Sequence, residues 1–446
     1  MMARASAAAE TLLKRLGKSF DEAAVLVLGI RRTMVKFANR QPSVVQSWDD
    51  LHLQIYVARG GRILLTSLSA REIDEASRAI EGLSSEIDRL AASSLYAPLP
   101  QPSATGGLEG LADHRISEAI ENPEEVAEMA ESYARGSGLD DFAGTLDLAR
   151  TAKCLAMTTS TKTLCEEGTS LEFYVRFLKE PDGSGQWGLA RRKLDEEGIR
   201  KTIEIAAGLA RESAGRSSVP EGKYDVVLSP LVFAHLMGVL ARMASAYSVM
   251  SGTSVFVDKK IGEGVASEKL TIVDSPRLSE LPLSSGFDDE GQATYDKSLI
   301  ERGILRSLLH NTKTAAKMGA NSTANAGWIQ PRPWNLVIEA GDAELDEMLS
   351  LVRRGLLITN NWYTRIHNAP EGSFSTITRD AIFVIEGGKI VRPAEKVRIS
   401  DNLLRIASNL ELLSRERYDI HWWDMPLPSR APYALIRDVR ITKPYA

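Results

Sequence analysis

Leu51-His52-Leu53-Gln54-Ile55-Tyr56-Val57 is apolar at every odd position, the period-two pattern of a strand with one buried face. Arg59-Gly60-Gly61 and then Ile63-Leu64-Leu65 follow, which predicts a hairpin closed on a glycine turn. The alternation returns in Leu171-Glu172-Phe173-Tyr174-Val175-Arg176-Phe177. Helical spacing lies between: Ile73, Ala76, Ile80, Leu83, Ile87 and Leu90 stand three and four apart and predict one helix with a single apolar stripe. Residues 3–16, a start at Pro123-Glu124-Glu125 and the run from Asp195 to Ser213 predict three more helices. Residues 1–215 thus read as an N-terminal α/β domain of hairpins and helices.

Ser217-Ser218-Val219-Pro220-Glu221-Gly222 is the best break in the chain. Beyond it a strand, Tyr224–Leu228, leads to a long helix from Pro230 to about Met250. Glycine-punctuated strand segments follow, at Gly252-Thr253-Ser254-Val255-Phe256, at Leu299–Leu305 around Gly303, and at Ala381–Ile385 before Gly387-Gly388. Helices are expected at Ala343–Arg354 and Asn402–Leu413. Strands with few long crossovers predict a largely antiparallel sheet. The class is α+β, with 222–446 a β-rich domain that has its own core.

The 446 residues carry 54 Lys+Arg against 59 Asp+Glu, a net charge of −5, and 43% are apolar. That composition excludes disorder and a disulfide-built miniprotein, and the acidic balance argues against nucleic acid as a partner. The longest strongly apolar run, Ala23–Ile30, is too short to span a membrane. Glu10, Lys14 and Arg15 interrupt the alanine-rich start before an export-type core develops. A cytoplasmic protein is expected, with Cys154 and Cys165 as reduced thiols.

No phosphate-binding loop, dinucleotide fingerprint or nucleophile elbow is present. The six histidines, His52, His114, His235, His310, His367 and His421, never share a helical turn, so no zinc pair forms from them. The sharpest polar cluster is Ser284-Ser285-Gly286-Phe287-Asp288-Asp289-Glu290-Gly291. Its carboxylates suit a hard cation, but without the alternating spacing of a calcium loop a turn capped by its aspartates is the plainer reading.

The order of the second-half segments resembles the TldD/PmbA family. The resemblance lies in Gly252–Phe256, Ile261-Gly262-Glu263, Leu270–Asp274, Gly286–Gly291, Leu299–Leu305, Ser322–Ala326, Gly372–Ser375, Phe383–Ile390 and Ile399–Leu404 taken as a succession. It covers nearly all of 222–446, while the first half fits in length and pattern only. It implies a TldD/TldE-type metalloprotease, in which a zinc-bearing subunit pairs with a similar subunit lacking zinc. Zinc subunits carry H-E-x-x-x-H on the long helix before the G-T-S-V-F-like strand, and a cysteine near the C-terminus.

Here that helix reads Leu231–Arg242, and counting back from Gly252 places Gly238 and Arg242 at the two histidine positions. No cysteine follows Cys165. Glycine offers no ligand, arginine repels a dication, and His235 supplies at most one nitrogen, whereas catalytic zinc takes three protein ligands and a water. The resemblance therefore implies a PmbA/TldE-like chain with no catalytic residue and no metal ligand. Zinc is then expected in the partner, a zinc-bearing homologue in a heterodimer, with a homodimer as the alternative, and unfolded peptide as the material processed. Gly286, Asp288, Asp289, Glu290, Gly291, Asn325 and Asn402 are family-motif positions read as structural. An edge strand would hold the peptide, with Trp328, Trp334, Trp362 and Tyr363 as aromatic candidates. The rival classes are a divalent-metal hydrolase built on Asp288, Asp289, Glu290 and His310, and a gyrase-modulating regulator without a peptidase role.

Overall fold

The computed structural model describes residues 1–70, 73–139 and 141–444, and only the backbone of 73, 74 and 79. The first half runs α1 (Met2–Leu16), β1 (Glu22–Ala38), β2 (Gln41–Arg59), β3 (Arg62–Ala70), α2 (Ile73–Ala79), α3 (Leu83–Ile87), α4 (His114–Glu121), α5 (Glu124–Gly136), β4 (Asp141–Met157), β5 (Leu164–Lys179), β6 (Gly183–Arg191) and α6 (Glu196–Glu212). Its strands form one sheet in the order β3-β2-β1-β4-β5-β6, antiparallel throughout. The hairpin expected at Arg59-Gly60-Gly61 closes β2 on β3, with Gly60 and Gly61 at φ 55° and 74°, as a two-residue hairpin turn of this hand requires.

Both faces of the strands' central stretch are covered. Val25, Val27, Leu53, Ile55 and Val57 pack under α1, while Ala24, Leu26 and Tyr56 meet Phe287 and Trp328 from the second half. The unbroken apolar run Ala23–Leu28 is the mark of a strand buried on two sides. The apolar stripe from Ile73 to Leu90 folds as two short helices, α2 and α3, because the chain leaves the helix before Gly82, which caps α3; glycine is a poor helix interior. The side chain of Ile73 lies outside the described residues. Cys154 and Cys165, expected as free thiols, stand directly opposite in the β4–β5 register and are joined by a disulfide.

The second half runs β7 (Gly222–Leu228), α7 (Pro230–Met243), α8 (Ala246–Met250), β8 (Ile272–Asp274), β9 (Lys297–Glu301), β10 (Ile304–Leu305), α9 (Thr312–Met318), β11 (Leu336–Ile338), α10 (Leu345–Ser350), β12 (Arg354–Asn368), β13 (Ser373–Glu386), β14 (Lys389–Pro393), β15 (Arg398–Asn402), α11 (Leu403–Ser408), β16 (Leu410–Ile420) and β17 (Ser429–Thr442). Among the strand pairs of the described residues, β7–β12 and β11–β17 are parallel and the rest antiparallel, so the sheet is largely antiparallel. β17 pairs with β15 at its end and with β7 along its middle. The strands β7-β12-β13-β15-β17 thereby close into a ring, and β11, β8, β9 and β10 extend from it.

The long helix expected from Pro230 to Met250 breaks at Ala244–Ser245 into α7 and α8. The strand expected at Gly252–Phe256 is a turn in which Ser254 Oγ donates to the Met243 carbonyl at 2.6 Å. The helix expected over Asn402–Leu413 ends at Ser408, and the rest belongs to β16. The largest buried cluster joins Phe142, Phe177 and Trp187 of the first half to Phe233, Leu356 and Ile436 of the second. The core is thus continuous across Gly222, where separate cores were expected. Among the described residues no helix is long and apolar enough to cross a membrane.

Candidate functional site

α7 starts at Pro230, with Ser229 before it donating its hydroxyl to the Thr359 carbonyl at 2.6 Å. This ties the helix start to β12. Nearly every side chain of α7 is buried, so a ligand there would have to sit inside the protein. His235 is 3% exposed and its Nδ1 has no hydrogen-bond partner; burial pushes its pKa down to about 4, so the ring is neutral at ordinary pH.

A Cβ built on Gly238 would stand 2.6 Å from Pro426 Cγ in the β16–β17 loop, so the place of an outward ligand is already filled by a proline ring. Histidines in H-E-x-x-x-H are five residues apart, so a second position at Arg242 pairs with Met237, not with Gly238. Met237 is fully buried and Arg242 is exposed. On either register the residues present do not fit a catalytic zinc. Gly238→Ala is expected to cost about 1–3 kcal/mol by overpacking against Pro426, although alanine is the better helix former; a urea titration measures it.

The carboxylate cluster lies in the loop between β8 and β9, with all three side chains buried. Asp288 Oδ1 accepts from the backbone N–H groups of Glu290 and Gln292, both at 2.9 Å, and its Oδ2 from Ala326 N–H at 2.9 Å. Asp289 pairs with Arg332 at 3.0 Å. Glu290 meets Lys313 Nζ at 3.0 Å and accepts from Thr312 N–H at 2.8 Å. The carboxylates turn to different donors, and among the described residues no group of three or more His, Cys, Asp or Glu is placed to hold a metal ion. His310, the fourth member of the hydrolase reading, is buried with its Nδ1 unpartnered.

Gly286 is where Gly107 and Leu108 of the first half cross, with backbone atoms 2.7–2.9 Å from any Cβ it might carry. Gly291 turns the chain at φ 73°. Asn325 donates to Asp274 Oδ2 at 2.6 Å and to the Arg332 carbonyl at 3.0 Å. Asn402 caps α11 by accepting from Arg405 N–H.

Lys153 reaches this loop from β4. Its Nζ donates to Ser285 Oγ at 2.9 Å and to the Phe287 carbonyl, 4.3 Å from the Phe287 ring centre. Burial pushes the ammonium below the usual lysine range. Lys153, Glu166, Asp289 and Arg332, with Leu26 and Leu28, line a cleft of about 200 Å³ between the halves.

Of the four aromatic candidates, Trp328 and Trp334 are core residues at 6% and 7% exposure. Trp328 stacks on Tyr56. Trp362 is half-buried and Tyr363 is 54% exposed. Next to them stands Trp423, 61% exposed and edge-on to buried Trp422; Arg379 lies over both Trp362 and Trp422. Trp423 is not among the aromatic candidates that the sequence pattern picked out. Its signal was the doubled tryptophan itself, in a loop that also carries Pro426.

β7 pairs with β12 only from Gly355 to Ile358. Among the described residues, the stretch from Trp362 to Asn368 has a strand neighbour on the β13 side alone. Tyr363 N–H on this stretch donates to Asp424 at 3.2 Å.

The family model described as the PmbA/TldA metallopeptidase C-terminal domain matches residues 221–443, and that of PmbA/TldA metallopeptidase domain 1 matches residues 23–93. A metalloprotease of Methanothermobacter thermautotrophicus is 29% identical over 254 residues, 56% of this chain and 54% of that protein. The metalloprotease PmbA of Escherichia coli O157:H7 is 29% identical over 215 residues, 46% of this chain and 45% of its own length. The chain thus spans about half the length of the curated relatives it matches. The crystal structure of TldE from Thermococcus kodakarensis superposes with a TM-score of 0.84 at 19% identity, covering 97% of this chain and 99% of that one, which shows a shared fold. With a family model over half of the residues and the whole fold in common, the chain belongs to the PmbA/TldD metallopeptidase family.

Proposed function

We propose that this chain is the non-catalytic, TldE-like member of a TldD/TldE-type metallopeptidase assembly, pairing with a zinc-bearing homologue and helping to hold unfolded peptide while that partner cuts it. The observation that carries this reading is on α7: Pro426 fills the space at Gly238, Arg242 is a cation, and His235 is one neutral, isolated imidazole. Such a set cannot fix a tetrahedral metal or acidify its water. Peptide holding is supported by the one-sided stretch of β12 at Trp362–Asn368, whose outward backbone groups suit strand addition. The exposed ring of Tyr363 is on this stretch, and exposed Trp423 precedes Asp424, which accepts from Tyr363 N–H.

Purified alone, the protein is expected to hold no stoichiometric zinc and to cleave no peptide. Mixed with an H-E-x-x-x-H homologue from the same genome, it is expected to form a stable complex with chelator-sensitive cleavage. In that complex His235→Ala should leave the rate within a few-fold of the parent. One zinc per chain in the lone protein, with peptidase activity lost on chelation, would falsify the reading.

A further inference from the structure

The floor of the cleft between the halves is one face of the first sheet. Register lays Leu28, Lys153 and Glu166 side by side on β1, β4 and β5, with Ile30, Thr151 and Gly168 in the next row, and directly paired residues share a face. The roof comes from the second half, with Ser284, Ser285 and Trp334.

Arg192, just beyond β6, borders this space and is 5% exposed. Gly168 makes room for it, since a Cβ there would collide with the guanidinium Nη1. Nη1 donates to the Thr169 carbonyl at 3.2 Å and Nη2 to the Ser284 carbonyl, while among the described residues Nε–H finds no acceptor. Burial lowers the pKa of the group to about 10, so it is charged at neutral pH.

The carboxylates of the cleft are committed to other cations. Glu167 pairs with Arg150 at 2.7 Å, Asp289 with Arg332 at 3.0 Å, and Glu166 lies 3.8 Å from Lys153. Glu166 also accepts from the Ser285 hydroxyl and from Gly286 and Leu108 N–H. Matching these charges leaves Arg192 as one surplus cation, bound to carbonyls alone. A buried charge is costly unless an opposite charge meets it, and the open space beside this one can admit that charge from outside the chain.

Size and lining narrow the class. A cavity of about 150 Å³ takes one benzene molecule, so a cleft of about 200 Å³ suits a ligand of about six to eight heavy atoms. One surplus positive charge matches a monoanion, and Leu28, Ile30 and Leu111 on the lining match a short carbon chain. A phosphate would bring excess charge and leave the apolar wall unused. We infer that this cleft binds a short apolar monocarboxylate, with its carboxylate accepting from Arg192 and its chain lying against Leu28.

The inference does not rest on the peptidase reading, because neither metal nor partner enters its test. Isothermal titration of the lone protein with 4-methylpentanoate is expected to show one site per chain. The neutral isostere 4-methylpentanamide should bind about tenfold or more weaker, as loss of a charged hydrogen bond implies, and inorganic phosphate should bind weaker than the acid. Arg192→Gln should lose affinity for the acid by a similar factor. Leu28→Trp, which fills the floor beside Lys153 and removes no polar group, should abolish binding with an unchanged circular dichroism spectrum. No heat of binding at millimolar acid, equal affinity for acid and amide, tighter binding of phosphate, or undiminished binding by either folded variant overturns the inference. Should a variant fail to fold, the comparison of acid with amide on the parent protein decides.

Discussion

Lys313→Met is expected to destabilise the protein by about 3–5 kcal/mol, the usual cost of removing one partner from a buried ion pair. Lys313 and Glu290 have side chains 1% and 0% exposed, 3.0 Å apart. The ammonium also lies 4.5 Å from the Tyr56 ring centre, so the pair is packed against the first half of the chain. Methionine keeps the length and apolar stem of lysine but leaves the Glu290 carboxylate with Thr312 N–H as its remaining donor. An unpaired buried charge is the expensive state; a missing pair is not. Lys313→Met/Glu290→Met should therefore recover to within about 1–2 kcal/mol of the parent, the residue of the loss being the unmet Thr312 N–H. Urea midpoints of the parent, both single variants and the double variant close the cycle. A Lys313→Met midpoint close to the parent's would show that water reaches Glu290.

What the sequence revealed follows from how local each signal was. The strand at Leu51–Val57 was legible because one parity faces α1, and the Gly60-Gly61 turn because its backbone demands glycine. The α6 start was legible because Asp195 accepts from Gly198 N–H at 2.8 Å, a bond between near neighbours in sequence. The β12 and β17 strands were missed. Their pairing with β7, which closes the ring, joins residues more than a hundred positions apart, and no periodicity within either strand records it. The split of the long helix into α7 and α8 was hidden for the same reason: its break is held by Ser254 reaching back to Met243 and by Ala246 N–H donating to the Leu309 carbonyl.

The site divides along the same line. Gly238 could be seen to lack a ligand, since that depends on residue type alone. That Pro426 closes the space depends on a loop nearly two hundred residues away. The aromatic candidates show the limit most plainly: Trp328 and Trp362 are the same residue type, yet one stacks on Tyr56 in the core and the other lies half-open beside Tyr363. Beyond the turn itself, Asp288, Asp289 and Glu290 are tied to Ala326, Arg332 and Lys313, from later loops and from α9. The clustering of the three carboxylates was legible, but not their separate ties.

Asp288 gives the second large effect, and its sign distinguishes a buried acid from an ordinary surface turn. Burial, followed by the neighbouring Glu290 carboxylate, pushes its pKa up to about 7, against the pull of the Ala326 and Gln292 N–H groups. An unfolded aspartate titrates near ~3.9. Between those values the native protein holds a proton that the unfolded chain has released, so stability falls as pH rises. The contribution is fully present below about 4 and is lost as pH climbs through about 7; three pKa units correspond to roughly 4 kcal/mol at most. Asp288→Asn removes the slope, because an amide does not ionise. It keeps an oxygen for the Glu290 and Gln292 N–H groups but turns an NH₂ toward Ala326 N–H, a donor against a donor, at a cost of about 1–3 kcal/mol. The variant should therefore be the weaker protein near pH 5 and draw level with the parent, or pass it, near pH 8. Urea midpoints for both proteins at the two pH values test this. Parallel pH curves would mean that Asp288 is ionised in the native state throughout, and a calcium or magnesium ion lost with the substitution would mean that the carboxylate serves a cation.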